Sequence, residues 1–177
     1  MGSEETTTAP YSSSSGSRND GDGAFTDVAW VNGVDRVEDG RGLAIADLDR
    51  NGQLDLVVRN YRQPAQLLLN RGGAHHWLQL RLVGTRSNRD AVGARVRVLT
   101  AAGWQTRAVA AGSAFLSTQS LVQHVGLGPA TRAEAVEITW PSGLRQTLGP
   151  LDGDRRWTVV EGVDAPVAAA TVRAAAR

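Results

Sequence analysis

Trp77-Leu78-Gln79-Leu80-Arg81-Leu82 is the stretch on which the fold turns. Three leucines fall on one face of an extended chain, with Gln79 and Arg81 on the other, because successive side chains of a strand point to opposite faces. Ala94-Arg95-Val96-Arg97-Val98 and Ala135-Val136-Glu137-Ile138-Thr139-Trp140 repeat the alternation. Further strands are expected at 43–46, 55–59, 65–69, 104–110, 121–125, 144–148 and 157–161. Between two of them, Trp140-Pro141-Ser142-Gly143 places Pro second and Gly fourth, the preference of a type I turn. Outside the C-terminal tail no segment keeps a helical period over about eleven residues. The pattern predicts an all-β protein built from half-buried antiparallel strands.

Composition removes whole classes of chemistry. The 177 residues contain no Cys, and all nineteen basic side chains are Arg. A disulfide framework, a thiolate zinc site, an iron–sulfur cluster and a Cys nucleophile are therefore excluded. Without Lys there is no Schiff base and no phosphate-loop lysine. Arg in place of Lys, beside abundant Ala, Gly and Val, fits codon bias in a GC-rich genome. No apolar run approaches the ~20 residues that span a bilayer. The first twenty residues lack the basic and apolar regions of a secretory signal, so a chain complete as given is expected to be cytoplasmic.

The net charge of +1 hides a polarised chain. Residues 1–55 carry four Arg and eleven acids, residues 56–133 ten Arg and only Asp90, and residues 134–177 five Arg and six acids. Composition marks off both ends of the chain. Residues 1–23, rich in Ser, Thr, Gly and Asp, are expected to be a disordered leader. Residues 163–177 are expected to be an Ala-rich flexible tail, a frayed helix or none.

The sharpest local signal is Asp47-Leu48-Asp49-Arg50-Asn51-Gly52-Gln53-Leu54-Asp55. Side-chain oxygens at positions 1, 3, 5 and 9 can converge if the loop curls, Gly52 permits the curl, and the Gln53 carbonyl adds a seventh-position donor. An all-oxygen set of Asp47, Asp49, Asn51, Gln53 and Asp55 suits Ca²⁺ and not Zn²⁺. The twelfth position is Val58, not the bidentate Glu of an EF-hand, and the flanks are strands, so the loop is the corner of a β-hairpin. The missing Glu limits affinity to about 10⁻⁴–10⁻³ M, and the ion is expected to be structural. The competing reading is an Asp/Asn/Gly turn that binds nothing.

Gly40-Arg41-Gly42, the 47–55 loop and Pro64-Ala65-Gln66-Leu67-Leu68-Leu69-Asn70 resemble an FG-GAP (VCBS-type) repeat, the calcium-loop blade of integrin-like β-propellers. His76-Trp77-Leu78, Gly84-Thr85-Arg86-Ser87-Asn88-Arg89, Val92-Gly93-Ala94-Arg95-Val96, Phe115-Leu116-Ser117, Gly126-Leu127-Gly128 and Trp140-Pro141-Ser142-Gly143 resemble an ASPIC/UnbV domain. The resemblance implies one propeller-type blade, a β-meander with the calcium loop, over 24–73, followed by an antiparallel β-sandwich or barrel-like ASPIC/UnbV domain over 74–162. It departs in having a single blade, and Val125 where a Phe is expected before Gly126. Exported relatives are implied, although no signal precedes this chain. A lone blade cannot bury both faces, so further blades, another chain or the ASPIC/UnbV sheet must cover it; a fragment of a longer protein is the favoured reading.

No catalytic constellation is visible. His75 and His76 would point to opposite faces of a strand, none of His75, His76 and His124 has an acid at recognisable spacing, and Ser113, Ser117 and Ser142 lack a nucleophile signature. The remaining chemistry is basic: Arg81, Arg86, Arg89, Arg95, Arg97 and Arg107, with Trp77 and Trp104 among them, form a candidate anion- or partner-binding face, against the plainer reading of a solvated strand exterior. The expectation is a non-catalytic, calcium-stabilised binding or scaffold module that contacts a protein or an anionic glycan. The alternatives are an accessory protein of a polyketide/enediyne-like biosynthetic cluster with an activity of its own, and nucleic-acid binding through the Arg-rich face.

Overall fold

The computed structural model describes residues 16–112 and 117–169. They form fifteen strands: β1 (Ser17–Asn19), β2 (Phe25–Asp27), β3 (Gly40–Ala46), β4 (Asp55–Asn60), β5 (Gln66–Leu68), β6 (His76–Val83), β7 (Arg95–Thr100), β8 (Gly103–Ala108), β9 (Gln123–Gly128), β10 (Arg132–Ala133), β11 (Ala135–Thr139), β12 (Arg145–Leu148), β13 (Leu151–Asp152), β14 (Arg155–Val160) and β15 (Val167–Ala168). Among the described residues there is no helix, and no sheet closes on itself.

Two four-stranded sheets, ordered β12-β11-β7-β8 and β15-β14-β6-β9, carry the core. Alternation turns Leu78, Leu80 and Leu82 of β6 inward, where they join Val125, Leu127 and Val159 from the same sheet. Val96, Val98, Val136, Ile138 and Leu148 of the other sheet complete one buried cluster. Trp140 is buried with its indole N–H donating to Gln146 Oε1 at 2.9 Å, the partner a buried indole needs. The turn after β11 closes as its sequence predicts, with Gly143 N–H donating to Trp140 O at 2.9 Å.

One pairing departs from an antiparallel domain. β14 runs parallel to β6, Arg156 opposite Gln79 and Thr158 opposite Arg81. Parallel neighbours need a long crossover, and here the whole β7–β13 stretch supplies it. β3, β4 and β5 form a separate antiparallel three-stranded meander, with the 47–55 loop at the β3–β4 corner.

The termini also differ from expectation. Residues 1–15 of the leader lie outside the described residues, but 16–23 are not featureless: β1 pairs with β2 in an exposed hairpin. Asn19 and Asp22 accept from the backbone N–H groups of Gly21 and Ala24, and Asp20 accepts from Thr26 and Arg18. The Asx turns that polar composition supplies thus shape a turn where low hydrophobicity alone predicts none. In the tail, Val167–Ala168 extends the β14 edge, and no helix forms over 163–169, because Ala169 N–H donates to Arg156 O. Residues 170–177, like Ser113, Phe115 and Leu116, lie outside the described residues.

Candidate functional site: the loop at the sheet junction

The 47–55 loop is curled by its own side chains. Asp47 Oδ2 accepts from Gly52 N–H at 3.2 Å, Asp49 Oδ1 from Asn51 N–H at 3.2 Å, and Asn51 Oδ1 from Gln53 N–H at 2.7 Å. Arg50 and Gly52 take positive φ, 61° and 88°, so the glycine supplies conformational freedom where the turn is tightest. Asp55 is 0% exposed and accepts from Leu48 N–H at 2.9 Å and Asn70 N–H at 2.8 Å, tying the loop to the end of β5. Asn51 Nδ2 donates to Asn70 O at 3.0 Å, a second tie to the same residue.

This geometry gathers Asp47, Asp49 and Asp55 so that one carboxylate oxygen of each lies within 4.8 Å of the others. None of the three is in an ion pair with an arginine among the described residues. Three like charges so close repel. Asp47 Oδ1 is buried with no hydrogen-bond partner there, an arrangement that costs free energy unless a cation or water meets it. The donors are all oxygen, so the residues present fit a hard divalent cation. Asx turns account for the curl, but not for the orphaned oxygen.

The loop abuts the second domain. Gln79, on the face of β6 opposite the leucines, donates from Nε2 to Asp47 Oδ2 at 2.8 Å and accepts at Oε1 from Arg156 Nε at 2.8 Å. Trp77, on the same face, packs so closely on Gly52 that a Cβ there would lie 1.8 Å from its Nε1. His124 stacks on Trp77 with centroids 6.2 Å apart. Burial lowers the His124 pKa, while Asp47 raises and Arg107 lowers it. A cavity of about 210 Å³ lies at this junction, bordered by Asp47, Gln79, Gln119, His124 and Arg156. The free edge of β3 is capped from the same side, Leu43 and Ile45 N–H donating to Ser117 Oγ and Gln119 Oε1.

The second domain contains a different anion device. Glu161 is 3% exposed, and its Oε2 accepts from the consecutive N–H groups of Thr85, Arg86 and Ser87, each at 2.8 Å. Ser87 and Ser142 hydroxyls donate to Oε1 at 2.9 and 2.5 Å. Burial pushes this carboxyl up, but the Ser142 hydroxyl and the backbone donors outweigh it and hold it at about 2. Two of the motifs read from the sequence, Gly84–Arg89 and Trp140–Gly143, therefore meet on one carboxylate that the reading missed. Ser142 belongs to that network, its N–H donating to Ser87 Oγ at 3.1 Å as well.

The arginines do not form one face. Arg95 and Arg97 project from the outer face of the β12-β11-β7-β8 sheet, Arg97 bonded to Glu137 at 2.8 Å and lying 4.3 Å over the Trp104 ring. Arg81 lies on the outer face of the other sheet. Arg107, paired with the buried Val96, turns inward, and its Nε donates to His124 O at 3.3 Å. Arg86 and Arg89 are exposed on the loop after β6. Strand parity separates what the linear list combined. His76 does have an acid partner, Asp154, at 2.6 Å across 78 positions of sequence, a separation that no local spacing could reveal.

Two modules joined at an oxygen-rich corner define the class, and comparison with known proteins agrees. Residues 7–58 match the family model of the FG-GAP-like repeat, and residues 84–166 that of ASPIC and UnbV. The chain therefore carries an FG-GAP-like repeat followed by an ASPIC/UnbV domain. It is similar to cartilage acidic protein 1 of Xenopus tropicalis, 47% identical over 53 residues, which is 29% of this chain and 8% of that protein. The Homo sapiens and Mus musculus proteins of the same name are 46% and 44% identical over 52 residues, again 8% of their length. FG-GAP repeats generally bind calcium and usually mediate protein interactions. Among the described residues no helix is long and apolar enough to cross a membrane.

Proposed function

We propose that this chain is a non-catalytic, calcium-stabilised binding module, in which one propeller-type blade docks on a two-sheet ASPIC/UnbV sandwich and a protein partner is engaged in the extracellular setting typical of FG-GAP repeats. The observation that carries the calcium reading is the buried, partnerless Oδ1 of Asp47 beside two further carboxylates. Asp47, Asp49, Asn51, Asp55 and the Gln53 carbonyl would hold the ion, whose charge offsets their mutual repulsion and fixes the corner. Calorimetric titration of chelator-treated protein with calcium tests it: one site with Kd about 10⁻⁴–10⁻³ M supports the reading, and no binding at millimolar calcium overturns it.

The partner surface is the outer face of the β12-β11-β7-β8 sheet. Arg95, Thr139 and Arg145 stand in one cross-strand row there, and neither Arg95 nor Arg145 has an ion-pair partner among the described residues. Two guanidiniums flanking a hydroxyl suit carboxylates on an acidic protein. Salt-sensitive retention on immobilised poly-aspartate, lost in Arg95→Ala/Arg145→Ala, is the expected result. Retention unchanged by that double variant would discard this surface.

A further inference from the structure

The second domain supplies part of the loop's geometry. Asp47 Oδ2 is pinned between Gly52 N–H, from the loop, and Gln79 Nε2, from β6. Gln79 is 2% exposed, and its other end is held by Arg156 on the neighbouring parallel strand, which fixes the amide with its NH₂ toward Asp47. With Oδ2 so occupied, the free donor of Asp47 is Oδ1, the buried oxygen that lacks a partner. Trp77 closes on the loop backbone at Gly52 from the same face of β6.

We propose that Gln79, held by Arg156, is a positioning residue for the cation site of the 47–55 loop, so that the ASPIC/UnbV sheet sets the blade's affinity for calcium. This rests on the calcium reading above. Groups that orient a metal ligand from behind typically change metal affinity 10–100-fold when removed. Coupling is reciprocal: an ion that binds more tightly to the docked form must tighten docking by the same factor. The blade and the sheet then behave as one calcium-dependent unit, which neither sequence motif implies by itself.

Calcium titration of wild type, Gln79→Met and Arg156→Met by calorimetry, with hydrogen exchange of β6 and β14 followed with and without calcium, tests the proposal. Gln79→Met keeps the bulk and removes both polar ends; Arg156→Met leaves Gln79 in place but unoriented, and decides the question if the first variant does not fold. The expected result is a Kd 10–100-fold weaker in Gln79→Met and weakened less in Arg156→Met, with calcium slowing exchange in β6 and β14 of the wild type only. Wild-type binding with both variants within about twofold of it overturns the positioning role while leaving the calcium reading intact. No binding by the wild type overturns both.

Discussion

Gly52→Ala probes the junction between the modules most sharply. The glycine sits at φ 88°, and a Cβ would lie 1.8 and 1.9 Å from Nε1 and Cε2 of Trp77. Forcing an alanine into left-handed backbone costs about 1–2 kcal/mol. The clash also expels the indole, and losing the packing of a half-buried Trp costs about 2 kcal/mol, below the 3–5 of a fully buried one. Gly52→Ala should therefore lose about 3–4 kcal/mol. Trp77→Ala alone removes the packing without the strain, for about 2 kcal/mol. If the two residues act through one contact, the double variant should lose no more than Gly52→Ala, because the indole has already been displaced. The coupling is then about 2 kcal/mol, far above the ~0.5 that independent sites show. Urea unfolding followed by far-ultraviolet circular dichroism measures all four proteins. Losses that add to within about 0.5 kcal/mol would refute the packing of Trp77 on the loop.

Asp55→Ala strips the acceptor from two N–H groups, Leu48 and Asn70, in a fully buried setting. Its expected cost is about 3–5 kcal/mol in chelator, where only the two hydrogen bonds are lost, and more in calcium, where a ligand goes with them, measured by denaturant unfolding. Glu161 gives a pH signature. Its folded value of about 2 lies below its ordinary 4.5, so its stabilisation is present above that ordinary value and is lost as pH falls from 4.5 toward 2. The melting temperature of wild type should drop through that window, whereas Glu161→Gln should melt lower at pH 7 and vary less below pH 5. Equal slopes in the two proteins would contradict the role given to this carboxylate.

Much of the fold could be read locally, because Leu78, Leu80 and Leu82, like Val96 and Val98, announce a half-buried strand by alternation alone. Partner choice could not. Nothing in Arg155–Val160, whose side chains are mostly half-buried, marks it as a parallel neighbour of β6 rather than another meander strand. The inward turn of Arg107 and Gln105 runs against the rule that polar side chains face out. At the edge strand β8 they meet carbonyls of β9, His124 O and Gly126 O, which satisfy them. The carboxylate cluster of the 47–55 loop was legible because its residues are contiguous. Gln79, Arg156 and Trp77 were not, since they reach it across a domain junction, and neither was Glu161, which lies 74–76 positions from the N–H groups that surround it.

If the 47–55 loop takes calcium, a thermal melt of wild type and Asp49→Ala in 10 mM calcium and in chelator must tell the two proteins apart. Asp49 is exposed and, among the described residues, bonds only to Asn51, so its loss should leave stability in chelator within about 0.5 kcal/mol. For Kd about 10⁻⁴–10⁻³ M, 10 mM calcium stabilises by about 1.4–2.7 kcal/mol. That raises the melting temperature by about 3–10 °C in the wild type, with no rise in Asp49→Ala. A wild-type melting temperature that calcium leaves unmoved would make the loop a turn that binds nothing, and an equal rise in both proteins would place the ion elsewhere.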